Sequence, residues 1–220
     1  MMKPGYASAT MALMAAVLAA PSFALEPRDI GWDELTGPTT QLENPFEDLS
    51  SDQMDTLAQI LRLDMLAEDG IDTSSEGDAS ALRSDLKAQS IDADFLLKER
   101  LRIMAQLEKE ASAANEDLVG ENIRLPGYML PLEMDGERAV EFLLVPTVGS
   151  CIHVPPPPAN QIIRVSYPEG FVADGFFTPI WITGELRNAP VQQSLYLVDG
   201  DTDVSVTYQL DATSVREYEF

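Results

Sequence analysis

The chain has 220 residues with 37 Asp and Glu against 14 Lys and Arg, a formal net charge of −23. So acidic a surface repels phosphate backbones and anionic headgroups, which argues against nucleic-acid binding and electrostatic membrane association. One cysteine and one histidine exclude an internal disulfide and leave little material for acid–base catalysis.

Met1 to Ala24 reads as a secretory signal: Lys3 opens it, Met11 to Ala20 is an apolar core, and Ser22 and Ala24 are small residues placed for cleavage after Ala24. That core is shorter than the roughly 20 apolar residues a membrane span needs, and no later stretch reaches that length. The expected destination is the periplasm. Residues 25–49 form an irregular arm with anchors at Trp32, Leu35 and Phe46.

Ser50 followed by Gln53 is a capping-box pattern, and Met54, Leu57, Ile60, Leu61 and Met65 recur at helical spacing, predicting a helix from about Ser51 to Ala67. Glu68 to Ser80 is acidic and glycine-containing, which predicts a flexible linker within a helical region of residues 50–115. A short helix around Ala81 to Gln89 and a longer one from Asp92 to Ala114 follow. The longer one carries a stripe of Leu97, Leu101, Met104, Leu107 and Ala111, expected to pack on the protein's own sheet or on the first helix.

Residues 116–220 change texture to short β-rich runs: Ile123 to Leu132, Val140 to Pro146, Gln161 to Tyr167, Pro179 to Leu186 and Val204 to Leu210. The predicted class is α+β, with a small five-stranded antiparallel β-barrel of OB-like topology in the C-terminal half preceded by amphipathic helices. Pro126-Gly127 predicts a bulge or sharp bend, because proline cannot donate to the ladder.

The candidate site is the run Gly149-Ser150-Cys151-Ile152-His153-Val154 with Pro155, Pro156, Pro157 and Pro158 behind it. Residues i and i+2 of a strand share a face, so Cys151 and His153 would stand side by side. Three readings are open: structural residues, half of a zinc site completed by Glu133 or Glu141, or thiol chemistry. The last lacks a base that faces its nucleophile across a site. The prolines would form a polyproline strap, anchored by the side-chain amides of Asn160 and Gln161.

Residues 123–133, Glu141 to Pro146, Gly149 through His153 and the prolines to Gln161, and Pro179 to Gly184 together resemble the domain-of-unknown-function family 3299 of bacterial envelope proteins. Ile30-Gly31-Trp32-Asp33-Glu34-Leu35 resembles the lead-in of such proteins. The resemblance implies an exported protein found near ABC-type transporters and zinc-acquisition genes. The expected function is a non-enzymatic periplasmic accessory protein that binds zinc or assists an ABC-type metal transporter or other envelope protein. The alternative is a structural interaction module of the envelope with no metal role.

Overall fold

The computed structural model describes residues 26–73, 75–149, 156–173, 175, 177–197 and 200–218. The signal-like segment lies outside the described residues. Ser50 Oγ accepts from the Gln53 backbone N–H, and Gln53 Oε1 accepts from that of Ser50, at 3.3 and 2.9 Å. This reciprocal cap opens α1 (Ser51–Glu68). Asp78 caps α2 (Ala79–Ala88) and Asp92 caps α3 (Ala93–Ser112). The predicted linker is therefore shorter than the acidic run. Its end is also folded back, because Glu76 pairs with Arg62 of α1 at 2.7 Å.

Leu57, Ile60, Leu86, Ala93 and Leu96 bury together, giving the three helices a small core of their own. Only the first turn of α3 contributes buried residues to it. The far end of α3 docks on the barrel through its last carbonyls. The buried Asn160 donates from Nδ2 to the Glu110 and Ala113 carbonyls at 2.8 and 3.0 Å, and Thr207 Oγ1 donates to the Ser112 carbonyl. These are the orphan acceptors of a helix C-terminus, satisfied from another element. Asn160→Ala is expected to lower stability by about 1–2 kcal/mol in urea titration, with faster amide exchange around residues 110–115.

Between its two anchored ends α3 is open on one side, while Ile103 and Gln106 on the other are half-buried. Leu101, Met104 and Leu107 are 62%, 49% and 53% exposed. The stripe thus does not lie on the sheet as expected; only Leu97 joins the helical core. A barrel closed on itself turns its apolar side chains inward, so its outer face needs no helical cover.

The strands are β1 (Arg28–Asp29), β2 (Asn122–Asp135), β3 (Arg138–Val145), β4 (Ile163–Val172), β5 (Thr178–Leu197) and β6 (Gly200–Glu217). They run in the order β1-β2-β3-β4-β6-β5, and β2 also pairs with β5, which closes five of them into a barrel. The expected all-antiparallel barrel is corrected to a mixed one, because β4 and β6 pair in parallel from Ile163↔Tyr208 to Ser166↔Asp211. The reason is topological. After β4 the chain leaves a slot, builds β5 against β2, and returns as β6 into the gap, pointing the same way as β4. This is the Greek-key arrangement of OB-type barrels.

Strand β2 closes the barrel: residues 122–129 pair with β5 and residues 128–135 with β3. The two-residue β1 runs parallel to the start of β2, with Arg28 opposite Ile123 and Asp29 opposite Arg124. The ladder irregularity in β2 falls between Pro131 and Met134, not at Pro126-Gly127. Pro126 and Gly127 instead keep register with Trp181 and Ile180. Inside, Leu125, Met129, Phe142, Leu144, Ile163, Val165, Ile180, Ile182, Tyr208 and Leu210 belong to the main core. A second cluster around Leu143, Ile162, Leu195 and Val206 lies under the prolonged β5–β6 hairpin.

Candidate functional site

One concavity on the barrel is built around Trp32. Arg28 and the Gly31 N–H both reach the Glu34 carboxylate, at 2.7 and 3.0 Å, which fixes the 3-10 turn Trp32–Leu35. The Gly31 N–H is the main influence holding the Glu34 carboxyl below its ordinary range, opposed by burial and aided by Arg28. The turn drives Leu35 into the core and lays the Trp32 indole on β2, where its Nε1–H donates to the Pro126 carbonyl at 2.8 Å. Gly127 makes room for the ring. A Cβ there would lie 3.0 Å from Trp32 Cζ2 and 2.7 Å from Leu144 Cγ.

Beside Trp32, a half-open cleft of about 200 Å³ is lined by Trp32, Pro126, Gly127, Tyr128, Pro146, Pro179 and Tyr218. Tyr218 is carried in by its backbone N–H, which donates to the Pro179 carbonyl at 3.0 Å. Its ring stacks on Trp181 with centroids 5.4 Å apart. The Arg124 guanidinium lies 5.0 Å from the Trp181 centroid on its way to a two-pronged contact with Asp29 at 2.7 and 2.8 Å. An aromatic and proline surface thus continues from Trp181 over Tyr218 into the cleft. Among the described residues the lining holds no carboxylate, amine, thiol or imidazole, and its rings and prolines offer an apolar surface suited to apolar groups.

Cys151, His153 and Pro155 lie outside the described residues. The chain leaves β3 at Pro146, in the wall of the cleft. Glu133 and Glu141 face each other across the β2–β3 ladder. Glu141 is engaged by Arg164 at 2.6 Å, so its charge already has a partner. Among the described residues no group of three or more His, Cys, Asp or Glu is placed to hold a metal ion. Gly149 takes a left-handed backbone with φ 81°. Pro156, Pro157 and Pro158 lead into the 3-10 turn Ala159–Gln161. There Gln161 Nε2 donates to the Trp32 carbonyl at 3.0 Å and to Thr36 Oγ1 at 3.3 Å. Asn160 and Gln161 therefore tie the end of the proline segment to α3 and to the arm that holds Trp32.

Sequence reasoning missed the cleft, because its walls come from five separated segments and share no spacing. Trp32 and Pro126-Gly127 stood out in the sequence, but Tyr128, Pro179 and Tyr218 had no local pattern to mark them.

Comparison with known proteins places most of this chain in one family. The model of the family described as "Protein of unknown function (DUF3299)" matches residues 32–217. The chain is a DUF3299 protein. Its matched region begins at Trp32 and takes in all three helices and the barrel strands from β2 onward. A crystal structure of a DUF3299 family protein from Pseudomonas aeruginosa PAO1 is 24% identical, with a TM-score of 0.48 over 88% of this chain and 97% of that one. No curated protein matches the chain.

Proposed function

We propose that this DUF3299 protein is a non-enzymatic accessory protein of the bacterial envelope that holds an extended, proline-bearing polypeptide segment in the Trp32–Tyr128–Tyr218 cleft. The observation that carries this reading is the convergence of three aromatic rings and three prolines on one cleft, whose described lining carries no ionisable group other than tyrosine. Proline-rich segments are already ordered as polyproline II before they bind, and aromatic grooves accept their rings at low entropic cost. The acidic surface favours a segment with neutral or basic flanks. The envelope setting rests on the signal-like N-terminus.

The test is a fluorescence titration against synthetic peptides with Pro-x-x-Pro cores and Lys or neutral flanks, read through the combined emission of Trp32 and Trp181. Binding in the micromolar range is expected, weakened about tenfold by Tyr218→Ala, as for a half-buried aromatic anchor. Peptides in which alanine replaces proline should bind far more weakly. Equal binding of the two peptide sets, or none by either, would remove the reading.

A further inference from the structure

We infer that Arg216 sets the specificity of the cleft by pairing with one carboxylate of the bound segment, on an Asp or Glu three residues from the proline seated there. The inference rests on the reading of the cleft as a holder of proline-bearing segments, and it names the chemistry of the segment taken.

Residues 116–220 carry five arginines and no lysine. Four of the arginines have an acceptor: Arg124 pairs with Asp29, Arg164 with Glu141 and Arg187 with Asp211, and Arg138 donates to the Gly170 carbonyl. Arg216 is exposed and has no ion-pair or hydrogen-bond partner among the described residues, in a chain with 37 acids. Its place follows from register. Arg216 is opposite Trp181 across the β5–β6 ladder, and the next pair, Ile182 and Val215, points into the core, so Arg216 and Trp181 leave the outer face together. Ser214 and Tyr218, two residues to either side, share that face.

Tyr218 lines the cleft and stacks on Trp181, so the aromatic surface leading out of the cleft ends beside Arg216. Trp181 is thereby bracketed by two arginines. Arg124 of β2 lies 5.0 Å from the ring centroid and grips Asp29 with two nitrogens. On the β6 side the ligand's carboxylate would do for Arg216 what Asp29 does for Arg124, accepting two parallel N–H bonds from the guanidinium.

The spacing comes from both partners. Arg216 and Tyr218 stand about 7 Å apart along the strand. A polyproline II segment rises about 3.1 Å per residue with three residues per turn, so residues three apart share a face about 9 Å apart. A proline in the cleft thus presents the side chain three positions away to Arg216, whose length covers the difference. The net field of the acidic body still disfavours a run of acids. One carboxylate in contact with a guanidinium lies well inside the Debye length of about 8 Å at physiological salt and is attracted locally.

Calorimetric titration of the full chain with Pro-x-x-Pro-x-x-Glu and Glu-x-x-Pro-x-x-Pro peptides, each against its Gln counterpart, tests this. One of the two Glu peptides should bind about fivefold tighter than its Gln counterpart, the upper range for an exposed pair. The preference should shrink at about 0.5 M salt. Arg216→Gln should bring that pair of peptides to equal affinity, and Arg216→Glu should reverse their order. The urea midpoint should stay unchanged in both variants, because Arg216 has no partner in the fold to lose. Glu and Gln peptides that bind the wild type alike, with Tyr218→Ala still weakening both, overturn the role of Arg216 and leave the cleft reading standing. A preference that survives Arg216→Gln also overturns it. Failure of every peptide to bind removes both.

Discussion

Replacing Tyr208 by Phe is expected to cost about 2–4 kcal/mol, read as a drop in the urea midpoint without a change in slope. Tyr208 sits on β6 with no solvent exposure and stands among the largest side chains of the core. Its hydroxyl donates to the Leu35 carbonyl and accepts from the Asn115 N–H, each at 2.6 Å. One oxygen therefore ties the N-terminal arm and the link between α3 and β2 to the last strand of the barrel. Phenylalanine keeps the ring packing but leaves two main-chain groups without partners in a place water does not reach. Burial raises the phenol above its ordinary pKa, opposed by the Asn115 N–H and aided by the nearby Glu116. The unfolded chain gives up this proton near pH 10, so above that pH it binds fewer protons than the folded chain and stability falls. The gap between wild type and Tyr208→Phe should be constant below about pH 9 and narrow as pH climbs past about 10. Tyr167, whose pKa is also raised, is common to both proteins and cancels in the difference.

The second large effect is expected at Gly184, where β5 shifts register against β6. A Cβ at this position would lie 2.3 Å from the Asp211 carbonyl oxygen and 3.0 Å from the Ala212 Cα, both main-chain atoms that cannot rotate aside. It would also meet Leu210 Cδ2 at 2.7 Å. Gly184→Ala forces the ladder apart at the strand that closes the barrel onto β2, with Ile123 and Glu185 on its flanks. An overpacking cost of about 3 kcal/mol, set against about 0.5 kcal/mol gained by restricting the unfolded chain, leaves a net loss of roughly 2–3 kcal/mol. Gly136→Ala is the control. It occupies the β2–β3 turn at φ 62° with nothing near its missing Cβ, so it should lose only the roughly 1 kcal/mol of left-handed backbone strain. Thermal melts of the two variants should differ clearly.

Local signals were legible in the sequence wherever one element decided its own form. The Ser50 and Gln53 pair and the spacing of Leu57 and Ile60 mark α1 because a helix states its cap and its period within a few residues. The five β-rich runs were equally plain, and so was the closed barrel. What the runs do not state is which strand neighbours which, and the parallel β4–β6 pair follows from that choice alone. The β5–β6 hairpin extends past the predicted ends because Pro190 and the exposed Gln192 interrupt an apolar pattern that resumes at Leu195 and is matched by Val204 and Val206 across the ladder. The stripe on α3 was visible, but a period cannot say whether the partner of an apolar face lies in the same chain. The aromatic cleft was least legible, since Trp32, Tyr128 and Tyr218 meet only through folding.

The bond between Tyr208 and Leu35 spans 173 positions of the chain. A chain that emerges N-terminus first exposes Trp32 and Leu35 at the outset, and their fixed partners arrive in stages: Pro126, then Gln161, and last Tyr208. The first element made is thus the last one locked. Contacts this distant in sequence are slow to close, and a nascent chain stalled short of β6 carries an arm with no buried seat for Leu35. Loss of β6 from Tyr208 onward would accordingly be felt near the start of the fold, where the Leu35 carbonyl would lose its buried partner and the arm that carries Trp32 its last tie.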